Sequence, residues 1–115
     1  MSGIDTLPAV TPADALAAHH GDTMLLDVRE YDEWMAGRVD GATHVPMNDL
    51  PGRIGELPRD HRIVCICRSG NRSAQVTAWL LQQGFDAANM TGGMRAWAAD
   101  ELPFVNFNGN PGVVI

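Results

Sequence analysis

Short apolar runs alternate along this chain with segments whose apolar residues recur at helical spacing. The clearest runs are TMLLDV at 23–28 and RIVCIC at 62–67, and AANM at 87–90 is a weaker one. Runs of this length, apolar on both faces and bounded by polar residues, are typical of buried strands. THVPM at 43–47 predicts a further brief strand, which its proline keeps short.

Helical segments are predicted between these strands. Thr11 and Pro12 have the residue types of an N-cap and a first helical position, which predicts a helix extending to about position 21. The longest helix is expected to begin at Arg72 or Ser73, because the apolar residues that follow share one stripe as far as Gly84. Three shorter helices are predicted over REYDEWMAG at 29–37, NDLPGRIGEL at 48–57 and MRAWAAD at 94–100.

Strands and helices that alternate over these lengths predict an α/β fold. We expect an open, mostly parallel sheet of about five short strands, with helices on both faces. A chain of 115 residues is large enough for one hydrophobic core and too small for two, so a single domain is expected over 1–115. The main part of this domain, without its tail, covers about residues 8–103. The tail at 104–115 shows no regular pattern, and either packs as an extended strap or frays.

Charge is distributed unevenly along the chain. The formal net charge of −6 argues against general nucleic-acid binding, which depends on neutralising phosphates. All eight basic residues are arginine, and the absence of lysine excludes a Walker-type phosphate loop and Schiff-base chemistry. Between His61 and Phe85 there is no Asp or Glu, whereas Arg62, Arg68 and Arg72 all lie there. This locally positive segment also contains both cysteines of the chain.

The sequence predicts a protein of the reducing cytoplasm that has no membrane partner. No apolar run approaches the roughly 20 residues that span a bilayer. The N-terminal sequence MSGIDTLPAV has neither a basic start nor an apolar signal core. Cys65 and Cys67 are too few and too close for a secreted disulfide scaffold, and alternate residues of one strand are poorly placed for a disulfide with each other.

Cys67 lies where the clearest strand is expected to end, before the longest helix. In open α/β sheets the ligand crevice lies beyond the carboxyl ends of the strands. A short loop there can turn its N–H groups into a concave nest beside a helix N-terminus, and Gly70 permits the backbone conformations that this requires. Such surroundings lower the pKa of a thiol below about 8.5. We therefore interpret Cys67 as an activated nucleophile and Cys65, in mid-strand, as structural.

Three sequence motifs resemble those of the rhodanese-like sulfurtransferases. CRSGNRSA at 67–74 resembles the active-site loop of that family, in which the catalytic cysteine begins a six-residue loop that ends in arginine. LLDVREYDEWMAGRVDGATHVPM at 25–47 resembles the family's upstream signature, and TGGMRAW at 91–97 the motif before its last helix. The resemblance implies a rhodanese-like fold whose active-site loop consists of Cys67, Arg68, Ser69, Gly70, Asn71 and Arg72.

Loop length distinguishes two chemistries on this type of scaffold. The related dual-specificity phosphatases and arsenate reductases have one more residue in the loop, which makes room for a tetrahedral oxyanion. Here four residues separate Cys67 from Arg72, so the tighter ring suits a single sulfur atom. Phosphatase chemistry also needs a carboxylic acid for the leaving alcohol, and the loop contains none. These points favour a sulfurtransferase over a phosphatase.

The resemblance implies ping-pong sulfur transfer without a cofactor. Cys67 would take sulfane sulfur from a small anionic donor such as thiosulfate, and a thiol or cyanide would then remove it from the persulfide. A protein sulfur carrier is a further candidate partner. A persulfide carrier or binding module without turnover would have the same sequence features, so that alternative stays open.

The polar residues around Cys67 suggest distinct roles. Arg68 and Arg72 are candidates for binding the donor's sulfonate through charge-assisted bonds. The alternatives are a solvated arginine of the loop or an ion pair with a scaffold carboxylate. Ser69 and Asn71 are expected to shape the loop, and Ser69 could also donate to the sulfur. Ser73 is expected to support the loop without touching the substrate, and would cap the helix start.

Asp27 and Arg29 match the Asp-x-Arg of the family signature, at the end of the neighbouring strand. We interpret them as an ion pair that does not touch the substrate and supports the rim of the site. The resemblance makes His44 structural. No metal site is expected, because the histidines and cysteines lack a ligand spacing. Five further residues are assigned to the core or to helix faces: Glu33, Trp34, Trp97, Met90 and Met94.

Overall fold

The computed structural model describes residues 7–115. Its strands are β1 (Ala9–Val10), β2 (Met24–Asp27), β3 (Thr43–His44), β4 (Ile63–Ile66) and β5 (Ala87–Met90). Its α-helices are α1 (Pro12–His19), α2 (Tyr31–Ala36), α3 (Leu50–Arg53), α4 (Asn71–Gln82) and α5 (Gly93–Ala99). Single 3₁₀ turns at Met47–Asp49 and Ile54–Glu56 flank α3.

The five strands form one sheet in the order β1-β5-β4-β2-β3, and every neighbouring pair is parallel. β4 lies at the centre, where Asp27 of β2 pairs with Ile66 and Asn89 of β5 pairs with Cys65. Because the strands are parallel, the carboxyl ends of β2, β4 and β5 meet at one edge of the sheet. The residues that follow these strands are thereby brought together.

Helices cover both faces of the sheet, and each face has its own apolar cluster. On one face, Cys65 and Cys67 lie in a cluster with Val76 and Leu80 of α4. On the other face, strand residues pack against α1 and α5. Trp97 of α5 is part of this cluster and is fully buried. Side chains alternate between faces along a strand, so the two cysteines point to the same side of β4.

Most predicted elements are confirmed within one to three residues. The N-cap at Thr11 accepts a hydrogen bond from the amide of Asp14, and AANM forms β5 over its predicted length. The segment at 48–57 is irregular as expected, because α3 spans only one turn between two 3₁₀ turns. The α/β fold with a parallel five-stranded sheet is therefore confirmed.

Three predictions needed correction. β1 was missed, since a two-residue strand beside Pro8 is too short to produce a periodic pattern. α4 begins at Asn71 rather than at Arg72 or Ser73, because Gly70 already occupies the N-cap position. α1 ends at His19 and not near position 21, where the chain turns.

The tail after Pro103 packs as a strap and does not fray. Val105 exchanges two backbone hydrogen bonds with Arg38, and the amide of Val113 donates to Ala36 at the end of α2. The predicted single domain includes residues 1–6, which lie outside the described part of the chain. Within residues 7–115, no helix combines the length and apolar composition needed to cross a membrane.

Candidate active site

Cys67 directly follows β4, and the loop from Cys67 to Gly70 leads into α4. Gly70 has φ 102°, a left-handed conformation that side chains disfavour, and a Cβ there would lie 3.2 Å from the amide nitrogen of Gly92. The tight turn brings the amide of Gly70 back over the preceding cysteine, so its N–H donates to Cys67 Sγ at 3.0 Å. The predicted role of Gly70 in the loop conformation is thus supported by geometry.

Several hydrogen-bond donors converge on the Cys67 sulfur. Besides Gly70, the Ser73 hydroxyl lies 3.2 Å from Sγ, and the backbone amides of Ser69 and Ser73 also face it. Burial alone raises the pKa of Cys67, but the Ser73 hydroxyl and these amides outweigh burial and hold that pKa below its ordinary value. Ser73 was expected to cap the helix start, but it lies within the first turn of α4, where its hydroxyl contacts the sulfur directly.

Backbone amides at the start of α5 donate hydrogen bonds to the carbonyls of the Cys67–Gly70 loop. The amide of Met94 donates to the Cys67 carbonyl at 2.8 Å, and that of Arg95 to the Arg68 carbonyl at 3.0 Å. In a trans peptide the N–H points opposite to the C=O, so the contact from Arg95 to the Arg68 carbonyl turns the Ser69 amide away from α5 and towards the sulfur. Gly93 permits this approach, since a Cβ there would lie 2.6 Å from the carbonyl atoms of Arg68.

Asn89 on β5 anchors the other side of the loop. Its Nδ2 donates to the carbonyl of Gly70 at 3.2 Å, and its Oδ1 accepts from the Ser73 hydroxyl at 2.6 Å. Asn89 is not among the residues predicted for the site. The available signal was an amide side chain inside a run that the pattern predicts to be buried, because a buried polar group needs specific partners.

Arg72 forms a bidentate ion pair with Glu33 of α2. Both guanidinium–carboxylate distances are 2.8 Å. The hydrogen bond from Arg72 is the largest cause of a lowered pKa at Glu33, and burial partly opposes it. The alternative considered for Arg72, an ion pair with a scaffold carboxylate, is therefore its state in this structure. Glu33 was assigned to the core or to a helix face, and through this pair it is a further residue of the site.

Arg68 extends along the exposed surface of the loop. Its Nε donates to the backbone oxygen of Ile115 at 2.9 Å, which places this residue of the strap beside the site. The neighbouring Ser69 and Asn71 are exposed. The six predicted loop residues are contiguous in space, but only Cys67, Gly70 and the amide of Ser69 belong to the hydrogen bonds around the sulfur.

Asp27 and Arg29 form the expected ion pair, and it is buried. Arg29 Nη2 lies 2.6 Å from Asp27 Oδ2 and also donates to the backbone oxygen of Gly37. His44 Nε2 lies 2.8 Å from the backbone oxygen of Arg29. These contacts connect the end of β2 to α2 and β3, and so support the helix that carries Glu33.

Cys65 differs from Cys67 although both side chains are buried. Burial raises the pKa of Cys65 to about 12, and a hydrogen bond with Thr77 only partly offsets this effect. Its thiol therefore stays protonated at neutral pH, as expected for a structural cysteine. In the described part of the chain, no three His, Cys, Asp or Glu side chains come together as metal ligands would.

Comparison with known proteins adds independent observations. The sequence model of the Rhodanese-like domain family matches residues 11–100. A sulfurtransferase of Allochromatium vinosum is 42% identical over 85 residues, which cover 73% of this chain and 79% of that protein. Thiosulfate sulfurtransferase GlpE of Pseudomonas aeruginosa is 27% identical over 81% of this chain and 86% of its own. The crystal structure of a rhodanese-related protein from Thermoplasma volcanium superposes with a TM-score of 0.81 at 30% identity, covering 85% of this chain and 97% of that one.

Proposed function

This chain belongs to the rhodanese-like domain family, and from that premise we propose that it moves sulfane sulfur from an anionic donor such as thiosulfate to a nucleophilic acceptor through a Cys67 persulfide. The family relationship supports sulfur transfer in general. Transfer through a Cys67 persulfide is supported by the hydrogen-bond donors around its sulfur atom. They include the Gly70 amide at 3.0 Å and the Ser73 hydroxyl at 3.2 Å.

In the first half-reaction the Cys67 thiolate attacks the outer sulfur of thiosulfate. A new sulfur–sulfur bond forms as the bond to the SO₃ group breaks, and the electron pair of that bond leaves with sulfite. The negative charge is then carried by the outer sulfur of the persulfide. The loop amides that now face Sγ are suited to stabilise this anion, in the manner of an oxyanion hole.

In the second half-reaction an acceptor nucleophile attacks the outer sulfur. Cyanide leaves as thiocyanate and a thiol leaves as a persulfide, and in both cases the electron pair of the broken bond returns to Cys67 as thiolate. In each half-reaction one bond to the transferred sulfur forms as another breaks, and the leaving group takes the electron pair. No external oxidant, reductant or cofactor is therefore needed. A protein thiol, including that of a sulfur carrier, would react in the same way.

Donor recognition is proposed to rely on Arg68 more than on Arg72. Arg72 is engaged by Glu33 through both terminal nitrogens, so binding a sulfonate would require that pair to separate. Arg68 is exposed and uses its Nε for Ile115, which leaves its terminal nitrogens to face a donor. Arginine is suited to planar or trigonal oxyanions because it donates two parallel bonds.

We propose that the protein acts in the cytoplasm. Both cysteines are free, and the reaction needs Cys67 as a thiol or persulfide. A reducing compartment maintains that state, whereas an oxidising one would favour disulfides. The physiological donor and acceptor would then be the sulfane sulfur compounds and thiols of that compartment.

Mass spectrometry of the intact protein after incubation with thiosulfate tests the proposal. We expect an adduct of one sulfur atom that is present in the Cys65→Ala variant and absent in Cys67→Ala. Addition of cyanide should remove the adduct and release thiocyanate at each cycle. An adduct that forms but is not turned over would indicate a carrier. Hydrolysis of an aryl phosphate without any adduct would indicate phosphatase chemistry and contradict the proposal.

A further inference from the structure

The Ser73 hydroxyl lies within hydrogen-bond distance of two acceptors but has one hydrogen to donate. Its oxygen is 2.6 Å from Asn89 Oδ1 and 3.2 Å from Cys67 Sγ. All three side chains are buried, so solvent cannot supply a second donor at resting geometry. A single hydrogen must therefore be shared between the amide oxygen and the sulfur.

The orientation of the Asn89 amide follows from its other partner. Nδ2 lies 3.2 Å from the backbone oxygen of Gly70, which can only accept a hydrogen bond. The nitrogen must face that carbonyl, and the oxygen must therefore face Ser73. A flipped amide would place two acceptors together at Gly70, so the oxygen beside the hydroxyl is required by the chemistry of its neighbours.

We propose that Asn89 is a positioning residue that competes with the Cys67 sulfur for the hydroxyl hydrogen of Ser73. When the sulfur is uncharged, Ser73 donates to Asn89 and presents a lone pair to the thiol. When the sulfur is a thiolate, the hydroxyl must rotate towards it. Asn89 Oδ1 then faces the hydroxyl oxygen at short distance without a hydrogen between them.

The competition bears on turnover if Cys67 forms a persulfide, and in that respect the inference rests on the proposed function. In the persulfide the inner sulfur is uncharged, because the outer sulfur carries the charge. Ser73 can then return its hydrogen to Asn89. Asn89 thus stabilises both the thiol and the persulfide relative to the bare thiolate, and so reduces the fraction of Cys67 that is thiolate without abolishing it.

Other charged and titratable groups around the sulfur do not change this competition directly, because none of them contacts the Ser73 hydroxyl. They are Cys65 on β4, Arg68 in the loop, Arg72 on α4 with its partner Glu33 on α2, the Asp27–Arg29 pair at the end of β2 and Arg95 on α5. They are the same in every variant compared below, so their influence cancels.

A double-mutant cycle on thiol ionisation tests the inference without sulfur transfer. The rate of Cys67 alkylation by iodoacetamide is measured against pH in four proteins: the wild type, Asn89→Leu, Ser73→Ala and the double variant. Leucine approximates the volume of asparagine and cannot form a hydrogen bond. At a pH below the midpoint of the wild-type profile, Asn89→Leu should react about tenfold faster, the effect of one hydrogen bond to a charged group.

Comparison in the Ser73→Ala background shows whether Asn89 affects Cys67 alkylation through the Ser73 hydroxyl. Without the hydroxyl, adding Asn89→Leu should leave the alkylation rate within about twofold, since no hydrogen remains to be contested. A rate increase of equal size in both backgrounds would mean that Asn89 acts by holding the loop, and would overturn the inference. A slower Asn89→Leu protein would overturn it as well. If Asn89→Leu does not fold, Asn89→Ala takes its place in the cycle.

The experiment separates this inference from the proposed function. Thiosulfate loading of the wild type is measured in parallel by mass. A wild type that never carries the added sulfur contradicts the proposed function, whatever the alkylation cycle shows. A wild type that loads normally while the cycle shows no coupling between Asn89 and Ser73 contradicts only the inference.

Discussion

Two thiols, one within β4 and one directly after it, lie in the same apolar cluster, and their chemistry is opposite. Cys65 is 0% exposed and Cys67 is 1% exposed, so accessibility in the resting structure does not distinguish them. The pKa of Cys65 is raised to about 12, whereas that of Cys67 is lowered. The difference lies in their partners, since Cys65 has Thr77 and Cys67 has a hydroxyl and three amides.

The comparison shows why the reactive position is the end of the strand. Within β4 the backbone amides are used in the sheet, so none can turn towards Cys65. Beyond Ile66 the amides are released from pairing, and the loop can direct them at a side chain. Burial then strengthens their effect, because the same low dielectric that disfavours an unpaired charge strengthens hydrogen bonds to a paired one.

The largest expected contrast is in alkylation across pH. Because its pKa is lowered, Cys67 should be modified at neutral pH, at a rate that rises with pH through that pKa and then levels off. Cys65 should stay unmodified until the protein unfolds. Peptide mapping after a timed iodoacetamide pulse measures both, and equal modification of the two thiols in the folded protein would refute the assignment.

The lowered pKa of Cys67 and the raised pKa of Cys65 predict opposite effects of pH on the stability of the fold. The lowered pKa of Cys67 contributes stability that is present above the pKa of the unfolded thiol and is lost as the pH falls through the folded value. The raised pKa of Cys65 destabilises the fold as the pH rises from about 9 towards about 12. Urea unfolding of Cys65→Ala and of the wild type over this alkaline range isolates the second effect.

Substitution of Gly93 should displace the loop and so reduce the difference in reactivity between the two thiols. In Gly93→Ala the new methyl group would meet the carbonyls of Cys67 and Arg68, at a position with φ 59°. We expect a loss of roughly 2–4 kcal/mol in the free energy of unfolding and at least tenfold slower alkylation of Cys67. The control is Gly52→Ala, since a Cβ at Gly52 has no atom within 4 Å. Equal effects of the two variants in denaturant unfolding would contradict this account.

Removal of the Ser73 hydroxyl should have a smaller effect, because the amides remain. In Ser73→Ala the thiolate loses one charge-assisted bond, for which about 1.5–3 kcal/mol is typical. Competition from Asn89 places the expected loss at the lower end, or about tenfold in alkylation rate at acidic pH. Thr77→Val, which removes the buried hydroxyl that donates to the Ser73 carbonyl at 2.8 Å, is the matched control and should slow Cys67 alkylation less than Ser73→Ala does.

The Glu33–Arg72 pair should contribute least, since it lies outside the set of groups that contact the sulfur. Glu33→Gln keeps an oxygen for the amide of Glu30 but loses the charge, and should cost about 1 kcal/mol of stability at neutral pH. The lowered pKa of Glu33 contributes stability above the unfolded pKa of 4.5, which is lost as the pH falls through the folded value. Thermal unfolding at pH 7 and at pH 3 checks this. Glu56→Gln, in an exposed pair with Arg53, is the control and should change little at either pH.

The loop residues that the structure places where the sequence predicts them are close together along the chain. Cys67 follows β4 and Gly70 precedes α4 within one short segment, and a tight turn between a strand and a helix has few backbone solutions. The residues that sequence reasoning missed come from elsewhere. Asn89 is on β5 and Glu33 on α2, and nothing in their local sequence states which way their side chains point.

By itself the sequence determined that strands and helices alternate, that the sheet is mostly parallel and that a thiol follows the clearest strand at a short turn before a helix. These follow from periodicity and from residues adjacent in the chain. The tertiary structure decided which groups the loop meets: α5 holds its carbonyls, Asn89 shares the Ser73 hydroxyl, and Glu33 engages Arg72. Hydrogen bonds act only over about 3 Å, so their partners are chosen by how distant elements pack.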